Sequence, residues 1–172
     1  MNYCALLKGP SVPPKERGVL VGQKKILIVD DEENIRHAIK RVLLAARLNG
    51  DAPDVASNNE EQSCPYIFFE AGDGIEAGEK IKEIMPDLVI LDIKMPKKDG
   101  YGVCSDIRKD PATKHIKIIG ISGFSGKIGE GVMEALGADD YFEKPFDNEK
   151  LKAKVRKLLL QQEEEAAENP PQ

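Results

Sequence analysis

The chain reads as a doubly wound α/β domain: five strands in a parallel sheet, each followed by a helix. Two features of its patterning carry that reading. Five short apolar runs, each bounded by polar residues, are mostly unalternating, as strands buried on both faces are. Between them the apolar residues return at helical spacing, and the order strand, helix repeats five times, the mark of βαβ units packed on one sheet.

The first strand is ILIVDD (26 to 31), and Ile35, Ile39, Val42 and Leu43 then give the first helix one apolar face. The second strand is YIFFEA (66 to 71), followed by a weaker helical pattern over 75 to 85. The third is DLVILD (87 to 92), followed by a second weak helix over 101 to 109. The fourth is KIIGIS (117 to 122). Its helix carries Ile128, Val132, Ala135 and Leu136, with Gly137 placed as a C-terminal cap. Gly123, Gly126, Gly129 and Gly131 sit at the start of that helix, and each glycine in a helix interior costs about 1 kcal/mol against alanine. The fourth helix is therefore expected to begin late or fray. The fifth strand is DYFEKP (140 to 145). Asp147 is the expected N-cap of a last helix built on Leu151, Val155, Leu158 and Leu159.

These elements span residues 24 to 161. Residues 1 to 23 carry Pro10, Pro13 and Pro14 without periodicity and read as an irregular tail. A polar insertion at about 49 to 64 separates the first helix from the second strand, long for such a connection. Residues 162 to 172 turn acidic and then proline-bearing; they could extend the last helix before fraying or becoming a linker.

Composition narrows the function classes. The net charge of −5 makes no whole-chain case for direct nucleic-acid binding. Cys4, Cys64 and Cys104 have no CxxC spacing and suit neither a disulfide framework nor a metal site, so a reducing compartment is expected. No run approaches a signal peptide or a membrane span, and a cytoplasmic protein is the expectation. Neither His37 nor His115 has metal-ligand spacing, and His37 reads as a surface residue of the first helix.

The chemistry collects where strands stop. The first ends on Asp30 and Asp31, the third on Asp92, the fourth on Ser122, the fifth on Lys144. In an open parallel sheet the ligand site lies beyond the carboxyl ends of the strands. With the order 2-1-3-4-5, the first, third and fourth strands lie together in the middle. Three carboxylates then converge, with a hydroxyl and an amine at the rim. Such acids repel one another unless a cation joins them, and an all-oxygen donor set suits Mg²⁺. With Mg²⁺ bound, Asp92 can act as a nucleophile toward a phosphoryl group, with Lys144 and Ser122 holding its oxygens. Taken singly, each residue has a plainer reading: helix caps for the acids, a turn for Ser122, a solvated end for Lys144. Five on one edge make the functional reading stronger.

At these residues the chain resembles the receiver domain of two-component response regulators, a flavodoxin-like, CheY-like fold. The likeness runs from about Lys24 to Leu160. It rests on VDDE, DIKMPKKDGY, GIS, ALGADDY and EKPF in that order. The resemblance implies that Asp92 is the phosphoacceptor, taking its phosphoryl group from a histidine kinase or a histidine phosphotransfer protein. It implies Mg²⁺ on Asp31 and Asp92, with Asp30 acting through water and the Lys94 main-chain carbonyl as a further ligand. Ser122 would be the hydroxyl that binds the phosphoryl group and Lys144 its cationic partner. Pro145 would follow a cis peptide, and Tyr141 would be an aromatic switch coupled to Ser122. Lys94 and Phe124 would flank the pocket.

A receiver transfers a phosphoryl group to itself and later hydrolyses it, without turnover of a separate substrate, so it is not an enzyme in the usual sense. The output partner is unspecified. The basic last helix, with Lys150, Lys152, Lys154, Arg156 and Lys157, is either a solvated face, a dock for an acidic partner, or part of a dimer face made by the fourth helix, fifth strand and fifth helix. Two other readings stand beside this one. A degenerate receiver would be a constitutive interaction module. A haloacid-dehalogenase-like phosphatase would need a second acid two residues past its nucleophile, where this chain has Lys94.

Overall fold

The computed structural model describes residues 23–45, 66–123 and 127–168. Most of the N-terminal tail, the polar insertion and Phe124 lie outside the described residues. The elements alternate as β1 (Lys24–Val29), α1 (Glu33–Ala45), β2 (Tyr66–Ala71), α2 (Gly74–Ile84), β3 (Leu88–Asp92), α3 (Gly100–Lys109), β4 (Lys117–Ser122), α4 (Lys127–Ala135), β5 (Asp140–Glu143) and α5 (Asn148–Glu168). The sheet is parallel throughout, in the order β2-β1-β3-β4-β5. This is the doubly wound, flavodoxin-like fold that the alternation predicts.

Burial follows the strand period. Ile26, Ile28, Ile90 and Ile119 pack with Ile39 and Leu43 of α1 and Leu151 and Val155 of α5. Leu27, Val89, Leu91 and Ile118 point to the opposite face, toward Ala77 of α2, Val103 of α3 and Met133 of α4. All of β3 and β4 is buried, whereas β2 and β5, at the edges, are mostly half-buried. Central strands covered on both faces have no polar positions to alternate, which is why these runs read as unbroken apolar stretches.

Acids cap the helices and set their starts. Asp73 accepts from the N–H groups of Ile75 and Glu76, both at 2.9 Å. Asp147 accepts from Glu149 N and Lys150 N at 2.8 and 3.1 Å, as expected of its place before α5. Gly137 closes α4 at φ +86°, with Ala138 N donating to Met133 O and Gly137 N to Glu134 O, both at 2.9 Å. That pair of bonds is a Schellman cap, and a side chain at such a φ would be strained. The α4 helix begins at Lys127, after Gly123 and Gly126, as its glycine content leads one to expect. The acid run after Gln162 belongs to α5, which continues to Glu168. Among the described residues no helix is long and apolar enough to cross a membrane.

Candidate functional site

Register brings the strand ends together. Val29 pairs with Leu91, Asp92 with Ile121 and Ser122 with Glu143, so Asp30, Asp92, Ser122 and Lys144 leave the sheet at one edge. Each of the first three is almost wholly buried: Asp30 is 1% exposed, Asp92 4% and Ser122 4%. Lys144 reaches in from the end of β5. Its Nζ lies 2.7 Å from Asp30 Oδ2 and 2.9 Å from Asp92 Oδ1. Its main-chain N–H donates to Ser122 O at 2.7 Å, and the Lys144–Pro145 peptide is cis.

Asp30 takes part in a turn as well as in the cluster. Its Oδ1 accepts from Glu32 N at 2.9 Å, the local contact of a helix-start aspartate, while Oδ2 faces Lys144. Asp31 is exposed on the bend and has no side-chain partner among the described residues. Lys94 is exposed, two residues past Asp92, and its N–H donates to the Asp92 carboxylate. Tyr141 is half-buried, and its hydroxyl shares a hydrogen bond with Ser122. The acid pair, Ser122, Lys144 and Tyr141 are thus at one edge, but Asp31 stands apart from the tight cluster.

The electrostatics are unbalanced. Burial pushes the Asp92 carboxyl above the usual aspartate range, and the nearby Asp30 charge adds to this; the bonds from Lys144 and Lys94 N only partly offset it. Burial alone would lower the Lys144 ammonium, yet its bonds to Asp30 and Asp92 hold it above the ordinary lysine value. Burial also raises the Tyr141 phenol, against the lowering effect of its bond to Ser122. One lysine therefore serves two buried acids.

Among the described residues no three His, Cys, Asp or Glu side chains form a ready-made metal cage. The donor set still fits Mg²⁺. It is oxygen-only, it contains two buried carboxylates short of positive charge, and Mg²⁺ takes few protein ligands while keeping its waters.

Tertiary contacts add residues that the sequence left unmarked. Arg36, on the first turns of α1, donates through Nη1 to Asp30 O at 2.7 Å and through Nε to Glu70 Oε2 at 3.1 Å. It holds the carbonyl of the peptide that joins Asp30 to Asp31. In sequence it is one more basic residue of an exposed-looking helix, without a signal to separate it from Arg41. Gly100 lets the start of α3 close on the end of β3, since a Cβ there would lie 2.4 Å from Asp92 O. The pair Asp99-Gly100, seven and eight residues past Asp92, was the available sign. Lys97, at φ +65°, ties the loop after β3 to Asp73 with Nζ 2.5 Å from Oδ2.

Known proteins place this arrangement. The response regulator receiver domain family matches residues 54–156, more than half of the chain. The transcriptional regulator ycf27 of Guillardia theta is 40% identical over 137 residues, covering 80% of this chain and 46% of that protein. The chain spans about half the length of the curated relatives it matches. Among solved structures, a response regulator from Chloroflexus aurantiacus superposes with a TM-score of 0.67 at 28% identity, covering 80% of this chain and 98% of the other. A CheY-like receiver domain protein from Methanospirillum hungatei gives 0.66 at 26%, covering 83% and 98%. Because the family model matches more than half of its length and a relative 40% identical covers 80% of it, the chain belongs to the response regulator receiver domain family.

Proposed function

We propose that Asp92 accepts a phosphoryl group, and that this modification switches what the domain binds. The observation that carries the reading is Lys144 Nζ at 2.7 and 2.9 Å from two buried carboxylates that need more positive charge than one lysine supplies. Asp30, Asp31 and Asp92, with the main-chain carbonyl of Lys94, would hold Mg²⁺. Bound there, the ion would supply the charge that lets an anionic donor approach an anionic nucleophile. Ionised Asp92 attacks phosphorus with one carboxylate oxygen, and the bond from phosphorus to the donor atom breaks with its electron pair leaving on the donor. Lys144 stays charged throughout and turns from the Asp92 carboxylate to a phosphoryl oxygen. Ser122 donates its hydroxyl to another. The acyl phosphate adds roughly two negative charges. Because Tyr141 shares the Ser122 hydroxyl, its position follows that of Ser122, which is the route from Asp92 to the outer face of β5.

The donor is a phosphohistidine on a histidine kinase or phosphotransfer protein, by family. The relatives are named as transcriptional regulators, and this chain spans about half their length, which supports an output that controls transcription through another module or partner. Intact mass after incubation with acetyl phosphate and Mg²⁺ tests the chemistry. One phosphoryl adduct is expected, absent without Mg²⁺ and absent in Asp92→Asn. If neither an adduct nor beryllofluoride binding is seen in folded protein, the phosphorylation reading is wrong and a constitutive binding module takes its place.

A further inference from the structure

The outer face of α2 carries features that no contact inside the domain explains. At about 100° per residue, Ile75, Gly78, Glu79 and Lys82 share one stripe of the helix, opposite to the buried Ala77, Ile81 and Ile84. Ile75 is 51% exposed, and Met85, the residue after the helix, 37%. Glu79 and Lys82 are exposed and form no ion pair among the described residues. Gly78 is the odd member of the stripe, because glycine is disfavoured in a helix interior. Its φ is not left-handed, and a Cβ added to it would have nothing within 4 Å. Gly74, one turn earlier, has a reason inside the fold, since a Cβ there would run into the carbonyl of Lys98. Gly78 has none.

Beside the stripe, a groove of about 490 Å³ runs between α2 and α3, and Gly78 opens onto it. Its walls include Ile81, Val103 and Ile107. On the α3 side Lys98 and Asp106 pair with each other, so the unmatched charges nearest Gly78 are Glu79 and Lys82. Their order identifies the occupant. Glu79 and Lys82 stand on either side of residues 80 and 81, while Ile75 and Met85 lie five positions either side of Lys80. Opposite charges and apolar ends thus share one midpoint. A second α2 laid antiparallel about it brings Glu79 of each copy to Lys82 of the other, and Ile75 of each beside the other's Met85. An isologous pair requires that property, because each contact between two copies occurs twice.

We propose that the groove-side face of α2 pairs with the same face of a second copy, the two helices antiparallel. Two reciprocal Glu79–Lys82 ion pairs set the register, Ile75 and Met85 close the two ends, and Gly78 lets the second helix come close. Exposed ion pairs contribute little each, so the dimer is weak and sensitive to salt. The surface lies apart from α5: α2 packs on one face of the sheet with α3 and α4, whereas α5 packs on the other with α1.

Sedimentation of the full 172-residue chain over a range of concentrations tests it. The wild type is expected to dimerise in dilute salt and to dissociate on raising salt to about 0.5 M, where the Debye length falls to about 4 Å. Glu79→Lys and Lys82→Glu should each be monomeric while retaining the wild-type circular dichroism. The double variant E79K/K82E should dimerise again, because the swap restores both ion pairs, and an unfolded chain could not do so. Gly78→Met places its side chain in open space and favours the helix, so it should melt no lower than the wild type yet stay monomeric. Val132→Asp, on exposed α4, should leave the association unchanged. A dimer indifferent to the single reversals, a double variant that fails to associate, a dimer retained by Gly78→Met, or one lost in Val132→Asp would each overturn the proposal. So would a monomer at every concentration, which would leave the groove to a chain of different sequence.

Discussion

At the amino-terminal end of the sheet, Asp139 and Asp87 sit in arrangements that leave little charge unmatched. Asp139 Oδ2 accepts from Ile118 N at 2.7 Å and from Arg108 Nη2 at 2.8 Å, with Lys117 Nζ 4.0 Å from its other oxygen. Arg108 in turn donates to the carbonyls of Gly137, Lys114 and Ile116. Asp87 accepts from Lys25 N at 2.7 Å, and Lys24 lies 3.6 Å away. At the carboxyl end, Asp30 and Asp92 are more deeply buried and share Lys144, and burial leaves Asp92 reluctant to ionise. The same residue types staple loops at one end and leave the other short of positive charge. An unsatisfied cluster of charge is what distinguishes a site from a brace.

The largest effect should come from Lys144→Met. It leaves two buried acids without their cation, and breaking such a pair costs about 3–5 kcal/mol of stability. Chemical denaturation at neutral pH measures the loss, and phosphorylation of Asp92 should fail in whatever protein remains folded. Arg108→Met is the matching change at the other end. It leaves carbonyls and Asp139 short of a donor, at about 1–3 kcal/mol, with the rate of phosphorylation from acetyl phosphate unchanged. Should Arg108→Met slow phosphorylation as much as Lys144→Met does, the contrast between the two ends would fall.

Asp92→Asn should move stability in the opposite direction. The folded state holds the Asp92 proton more tightly than the unfolded chain does. The contribution of this group is therefore complete below the ordinary aspartate value of about 3.9 and is lost as pH rises through the raised folded value. At neutral pH the asparagine variant should be more stable by about 0.5–2 kcal/mol. The gap to wild type should close on acidification, which melting curves over that range would follow. A variant less stable than wild type at pH 7 would mean that the Asp92–Lys144 pair is a brace after all.

Arg36→Met should be the mildest of the four. By freeing the Asp30 carbonyl it should raise the Mg²⁺ concentration for half-maximal phosphorylation about tenfold, with the maximal rate at saturating Mg²⁺ retained. Lys40→Met removes another cation from Glu70 without touching Asp30, and should leave Mg²⁺ dependence as it was. Equal shifts in both variants would make Arg36 part of an ordinary surface network.

Periodicity and strand-end residues were legible without coordinates. The runs at 26–31, 87–92 and 117–122 had to be strands covered on both faces, because no alternation offered water a side, and right-handed crossovers then put their carboxyl ends on one edge. That local logic was enough to mark Asp30, Asp92, Ser122 and Lys144 together. It also placed Asp147 and Gly137 at helix ends, since capping is chemistry between near neighbours in the chain. What only the tertiary structure decided are the contacts between residues far apart in sequence. Arg36 reaches Glu70 across the whole insertion, Arg108 gathers carbonyls from two segments, and Lys144 meets Asp30 across most of the domain. Nothing in their immediate neighbours distinguishes Arg36 and Arg108 from solvated arginines, and the strand end that marks Lys144 does not say which acids it meets. Their partners are chosen by the packing of helices on the sheet, and the burial that leaves one acid short of positive charge and makes another a staple exists only once that packing is complete.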